Sequence, residues 1–350
     1  MRRRQFVQYV AAAATTIPSF AAAISRVRVG MLGTGHSHFM GKLNAVLNNS
    51  DFELVSIAEN NVEARAKLQK DPKLASLKWV SEAELLGDKS IHLVVVECRA
   101  WEAVPWGKRV IAAGKHLHLE KPPGNAYGPF KELVEEARSK KLLLQTGYLW
   151  RWHEGVSAGI EAAKKGWLGE VFMVRGTMNS DRGQEERDTE AKYAGGGLFE
   201  LGGHVIDRMV EVLGRPKAVK SWLRHDTGVK DKLADNNVAV FEFDRALGIV
   251  TQSAKMGGSG DHRSFEILGT EGSVVLNPEA NPPRMRVFMK KAQGPYKTGW
   301  QDIPISPQPR FIPDFAELAK AIKTDQPLKQ SYDHELLLQE TLLRASGEIK

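Results

Sequence analysis

The chain has a single cysteine, Cys98, in 350 residues. That excludes an intrachain disulfide and any metal centre built from several thiolates. Long runs of one charge are missing too. The formal net charge is +7, and it falls to +4 once Arg2, Arg3 and Arg4 are set aside. No Lys/Arg block remains to mark a nucleic-acid partner. After the first 25 residues there is no low-complexity segment and no internal repeat. No apolar run is long enough to predict stable membrane insertion.

What is present begins with a leader. Arg2-Arg3-Arg4-Gln5-Phe6 is a basic start, Val7 to Phe20 is moderately apolar, and Ala21-Ala22-Ala23 offers small residues for cleavage. The arginine pair followed by x-Phe resembles a twin-arginine export signal, so residues 1–25 are expected to be removed and the protein exported to the periplasm or beyond. Cytoplasmic residence is the lesser alternative.

Residues 26–147 alternate strand and helix. Val27–Leu32 is an apolar strand closed by the glycine turn Gly33-Thr34-Gly35. Such a turn, followed by a helix, places a dinucleotide pyrophosphate at the helix N-terminus. The third fingerprint glycine is replaced by His38. Glu59 ends the second strand, 24 residues after Gly35, where a carboxylate accepts hydrogen bonds from ribose hydroxyls and repels a 2′-phosphate. That favours NAD over NADP. Ile91–Glu97 reads as a buried parallel strand, and His116–Leu119 leads into Glu120-Lys121-Pro122, which puts Lys121 over the crevice at the strand ends. Residues 148–350 read differently. Helices at Val156–Lys165 and Leu198–Leu213 are followed by strands joined by short links such as Asp244-Arg245-Ala246, which predicts a mostly antiparallel sheet. Asn179–Gly197 reads as a polar loop.

Glu200 and His204 lie four apart in the glycine-rich stretch Gly195–His204, so on a helix they share a face. The carboxylate is expected to orient the imidazole, and the imidazole to take a hydroxyl proton. His36 and His38, two apart at a helix start, are expected to point in different directions, and no metal site is expected.

These motifs, with Gly114-Lys115-His116, Tyr148-Leu149-Trp150-Arg151-Trp152 and Gly269-Thr270-Glu271-Gly272-Ser273, resemble the glucose–fructose oxidoreductase/inositol dehydrogenase (Gfo/Idh/MocA) family over residues 26 to about 346. The resemblance implies an N-terminal doubly wound Rossmann domain and a C-terminal α+β domain with an open, mostly antiparallel sheet that joins copies into a homo-oligomer. It implies NAD(P)-dependent oxidation or reduction of a sugar or polyol. Lys121 matches the family's lysine at substrate and nicotinamide, and His204 its catalytic histidine. Glu200 stands where aspartate is usual. Tyr148 and Arg151 match a segment lining the substrate pocket, and Asp207 is expected there as well. Cys98-Arg99 replaces the usual Thr-Pro, which puts Arg99 near the cofactor beside Gly33, Thr34, Gly35, His36, Glu120 and Lys121. Trp150, Trp152 or Trp167 is a candidate to stack on a sugar ring. Two other classes share these motifs: a glycoside hydrolase using NAD for transient oxidation, and a cofactor-bound protein without catalysis. If the leader reading holds, N-terminal sequencing of exported protein is expected to start after about residue 23; an intact Met1 would refute it.

Overall fold

The computed structural model describes residues 24–280, 282–307 and 310–350. The proposed leader, up to residue 23, lies outside the described residues.

The first part runs β1 (Val27–Leu32), α1 (Phe39–Leu47), β2 (Phe52–Ala58), α2 (Val62–Leu68), α3 (Pro72–Ala75), β3 (Trp79–Val80), α4 (Glu82–Gly87), β4 (Leu93–Val96), α5 (Ala100–Ala112), β5 (His116–Leu119), α6 (Tyr127–Ser139) and β6 (Leu144–Thr146). The strands are parallel, in the order β3-β2-β1-β4-β5-β6. β4 is Leu-Val-Val-Val with every residue buried, as a strand covered on both faces must be. The order reverses between β1 and β4, and the crevice beyond their carboxyl ends is where such sheets bind ligands. Ser81 caps α4 with Glu84 in a reciprocal box.

A single 3₁₀ turn, Leu149–Trp152, then leads into α7 (Glu154–Lys164), β7 (Val171–Thr177), α8 (Gln184–Glu190), α9 (Gly197–Leu213), β8 (Ala218–Arg224), β9 (Asn236–Glu242), β10 (Leu247–Ser253), β11 (Ser264–Gly269), β12 (Gly272–Leu276), β13 (Met285–Met289), β14 (Gly299–Ile303), α10 (Ile312–Thr324) and α11 (Tyr332–Ala345). The eight strands form one sheet, β14-β13-β12-β11-β7-β10-β9-β8, antiparallel except for β7 with β10. Helices α7 and α9 pack on one face. Trp222, Leu247 and Trp300 remain exposed on the other. The segment read as a polar loop contains α8, whose residues Gln-Glu-Glu-Arg-Asp-Thr-Glu have no apolar stripe to betray a helix. β14 was also not anticipated.

Helix α10 does not stay with the second sheet, whereas α11 packs on α9 and β8. Phe311, Phe315, Leu318, Ala319 and Ile322 of α10 and its entry join one apolar cluster with Val27, Val29 and Met31 of β1 and Phe52 of β2. Residues far apart in sequence thus complete the cover of the first sheet.

His118 in β5 is fully buried, with Nδ1 2.8 Å from Gln145 Oε1. Burial, with Lys42 nearby, holds its pKa down to about 3. An unfolded histidine titrates near 6.5, so its contribution is fully present above that pH and is lost as pH falls below it. At pH 5 the loss from His118 is about 2 kcal/mol. Urea denaturation at pH 7 and pH 5 is expected to show lower stability at pH 5, and His118→Leu should narrow the difference.

Candidate active site

The glycine turn comes first. Gly33 has φ +85°, and a Cβ there would stand 2.4 Å from the Trp106 ring and 2.7 Å from the Glu97 carbonyl. Gly35 N–H donates to that carbonyl at 2.9 Å, tying the turn to the end of β4. Thr34 Oγ1 donates to Glu59 Oε2 at 2.6 Å, and Asn61 N–H donates to Oε1 at 2.7 Å, so Glu59 is fixed beside the turn. The N–H groups of Thr34, His36 and Ser37 meet no acceptor among the described residues. Free amides at the start of α1 are the donors a pyrophosphate needs, and the turn fits a dinucleotide on that ground.

Beneath the turn lies a buried ion cluster. Lys42 of α1 is wholly buried, 2.6 Å from Glu97 Oε1 and paired also with Glu120 Oε2. His38 Nδ1 stands 3.1 Å and His36 Nδ1 3.7 Å from the same Glu120 oxygen. Burial pushes the Glu97 carboxyl up to about 7. Burial also acts to raise Glu120, but His36, Lys42 and His38 hold it well below the usual carboxylate range. Two expectations change here. Glu120 does not reach toward the cofactor: its carboxylate is turned inward, and Oε1 accepts from the Lys121 N–H at 2.9 Å, so it fixes the lysine's backbone. His36 and His38 do not diverge either. Their ring centroids are 4.3 Å apart, because His38 enters the helix in αR geometry and both rings turn to one carboxylate. His36, His38 and Glu120 are close enough together to hold a metal ion. Lys42 already occupies the Glu120 oxygen with no solvent to retreat into, so a second cation there would meet an unscreened ammonium.

Lys121 leaves the end of β5 and crosses to α9. Its Nζ donates to Glu200 Oε1 at 2.6 Å and to the Glu200 carbonyl at 3.0 Å. Burial would lift the Glu200 carboxyl, yet Lys121 and His36 hold it at about 2. Glu200 therefore does not orient His204, although the two share a helix face: the lysine across the crevice wins the carboxylate. The His204 ring packs against Tyr148, edge-on at 5.6 Å between centroids, and against Trp150 at 6.2 Å. Its Nδ1 is buried without a partner among the described residues; Nε2 is neither hydrogen-bonded nor fully buried. Burial first, then Lys121, His38 and Arg263, hold His204 well below the usual histidine range, so it is neutral.

Two cavities meet at Lys121. The larger, 430 Å³, is lined by Lys121, His204, His38, Trp150, Trp152 and Arg263 among others. That size suits a small molecule. The smaller, 100 Å³, is lined by His36, Ser37, Arg99, Trp101, Lys121 and Glu200. Arg99 thus stands beside the glycine-turn end of the crevice. Trp167 is elsewhere, packed on Tyr296 and Gly294.

Tyr148, Arg151 and Asp207 line neither cavity. Tyr148 is buried against Gly203, where a Cβ would come within 2.6 Å of its ring. Arg151 donates to both Asp207 and Glu335, and His334 Nε2 lies 2.7 Å from Asp207 Oδ1. A buried guanidinium between two carboxylates joins the 3₁₀ turn, α9 and α11, and the reading of Arg151 and Asp207 as substrate contacts is corrected to a positioning network, while Tyr148 packs on the His204 ring. The wall residues the sequence did not reveal, Arg263, Glu279, Arg310, Phe311 and Asp314, come from links before β11 and β13 and around the start of α10. No spacing rule connects such positions. Arg151→Met is expected to cost about 3–5 kcal/mol of unfolding free energy, because it strands two buried carboxylates. Unchanged stability with a raised KM would restore a substrate contact.

Fold and site together define a two-domain, dinucleotide-binding oxidoreductase. Residues 27–148 match the oxidoreductase family model with an NAD-binding Rossmann fold, and residues 160–275 match the Gfo/Idh/MocA C-terminal domain. The chain belongs to the Gfo/Idh/MocA family. It is 30% identical over 261 residues to the uncharacterized oxidoreductase C115.03 of Schizosaccharomyces pombe, covering 71% of this chain and 70% of that one. It is 26% identical over 288 residues to human trans-1,2-dihydrobenzene-1,2-diol dehydrogenase, covering 81% and 80%. The mouse protein of that name matches at 27% over 57% of its length. Among solved structures, levoglucosan dehydrogenase in complex with NADH and levoglucosan has a TM-score of 0.75 at 20% identity, covering 93% of this chain and 98% of that one. GenD2 from gentamicin A biosynthesis, in complex with NAD, has a TM-score of 0.76 at 21% identity, covering 95% and 96%. Those likenesses are of fold.

Proposed function

We propose that the chain is an exported, NAD-dependent dehydrogenase acting on a hydroxyl group of a sugar or polyol. The observation that carries the reading is the meeting of Lys121 from one domain with Glu200 from the other, at 2.6 Å, which sets Lys121 and His204 on the wall of one cavity. The names of the diol and levoglucosan dehydrogenases support a hydroxyl-bearing small molecule. Gly33, Thr34, Gly35, His36 and Arg99 would hold the dinucleotide, and when bound it supplies the hydride acceptor. Glu59 beside the turn supports NAD over NADP, since its carboxylate opposes a 2′-phosphate.

The chain's own groups do the rest. Two of the three Lys121 N–H donors are spent on Glu200, which leaves one for the substrate oxygen. That donor stabilises negative charge as the hydroxyl loses its proton. Neutral His204 accepts that proton at Nε2, the ring nitrogen open to the cavity. Trp150 and Trp152 offer apolar faces to a ring. The open face of the second sheet, with Trp222 and Trp300, supports self-association through that sheet.

Following NADH formation over a sugar and polyol panel tests the reading. Lys121→Ala and His204→Ala are each expected to lower turnover about 100-fold or more. The double variant should be far less impaired than the product of the single effects, because both groups serve one proton transfer. Near-native turnover in either single variant would overturn the mechanism. Calorimetry should find NAD tighter than NADP, with Glu59→Ala narrowing the gap; tighter NADP would reverse the cofactor assignment.

A further inference from the structure

The larger cavity carries positive charge that the proton transfer does not use. Lys121 is offset by Glu200 at 2.6 Å. Arg263, at the start of β11, is not offset to the same degree. Its Nε donates to the Asn179 carbonyl at 3.1 Å, while Glu279 Oε1 is 3.8 Å from Nη1, beyond hydrogen-bond reach. Arg310 donates to His38 Nε2 at 3.0 Å and lies over the Phe311 ring, with no carboxylate at ion-pair distance among the described residues. The same wall also carries three acids: Glu154 accepts from the Ser306 N–H at 2.9 Å, the Glu279 carboxylate lies 3.9 Å from His153 and 3.8 Å from Arg263 without a hydrogen bond to either, and Asp314 is 1% exposed. Two guanidinium groups with unspent donors thus border the cavity that holds Lys121 and His204.

We propose that the substrate is a sugar bearing a negative charge, the carboxylate of a sugar acid or the phosphate of a sugar phosphate, bound by Arg263 and Arg310. This rests on the reading of the cavity as the site of hydroxyl oxidation. A guanidinium presents paired N–H donors that match two oxygens of either anion, and an under-paired one gains more from an anion than from a neutral hydroxyl. The choice has a second effect. Arg263 is one of the charges that keep His204 from taking a proton. An anion that neutralises Arg263 raises the affinity of His204 for the hydroxyl proton, so the charged substrate improves the base that acts on it.

The test uses the full chain with NAD bound, and two readouts: calorimetric binding and NADH formation. Glucuronate, galacturonate and the 6-phosphates of glucose and galactose are compared with the parent sugars. At least one anionic sugar is expected to bind about 10-fold or more tightly than its parent, and Arg263→Gln and Arg310→Gln each to reduce that preference about 10- to 100-fold, the range for hydrogen bonds to charged groups. Which anion gains separates carboxylate from phosphate. Arg263→Lys should keep part of the preference, which a purely structural role for Arg263 would not predict. Arg310 is exposed, so its variant remains informative if Arg263→Gln fails to fold. Parent sugars binding as tightly as every anionic one, or a preference unchanged in both variants, would overturn the proposal. Arginine-dependent binding of an anionic sugar without hydride transfer would leave it standing and remove the oxidation reading instead.

Discussion

Lys42 is the constraint on which the rest of this site depends. It sits on the first helix with no contact to water, and it persists as a cation because Glu97 and Glu120 meet it there. Those carboxylates lie just beyond the ends of β4 and β5, so one ammonium ties α1 to two neighbouring strands. Desolvation makes the arrangement costly unless all three partners stay in place. Both histidines and the backbone of Lys121 are positioned by the same group of charges, while the glycine turn is tied to the Glu97 carbonyl.

The division of labour at Lys121 follows from that anchoring. Its backbone belongs to the first domain's ion cluster and its ammonium to Glu200 of the second domain. The two domains are therefore joined at the residue where chemistry is proposed. A second buried network, Arg151 with Asp207 and Glu335, locks the far side of α9 against α11. Between them α9 is tied on two sides, and His204 lies on that helix at the cavity wall.

The fold was legible where the chain obeys short-range rules. β4 announced itself as an unbroken apolar run and the Ser81 cap by its glutamate three residues on. α8 was not, because a short helix that is polar all round has no pattern to read. In the site, Lys121, His204 and the glycine turn were legible because each belongs to a local motif. Partner choice was not. Glu200 has His204 four residues away and Lys121 in another domain, and only the folded arrangement shows that the ammonium prevails. Arg151 and Asp207 illustrate the converse: charged residues near a site motif that satisfy each other in the core. The arginines of the cavity wall sit on links between elements, where no periodicity records which way they face.

The path of α10 sets the order in which this molecule can be finished during synthesis. Phe315, Leu318 and Ile322 cover β1 and β2, elements translated more than two hundred residues earlier. Until that helix leaves the ribosome, the nascent first sheet has α1 over this face but lacks the rest of its cover. Domains usually mature in the order in which they are translated. Here one of the last helices made completes a cover that α1 begins, so a chain halted before residue 312 would lack part of the cover of its first sheet.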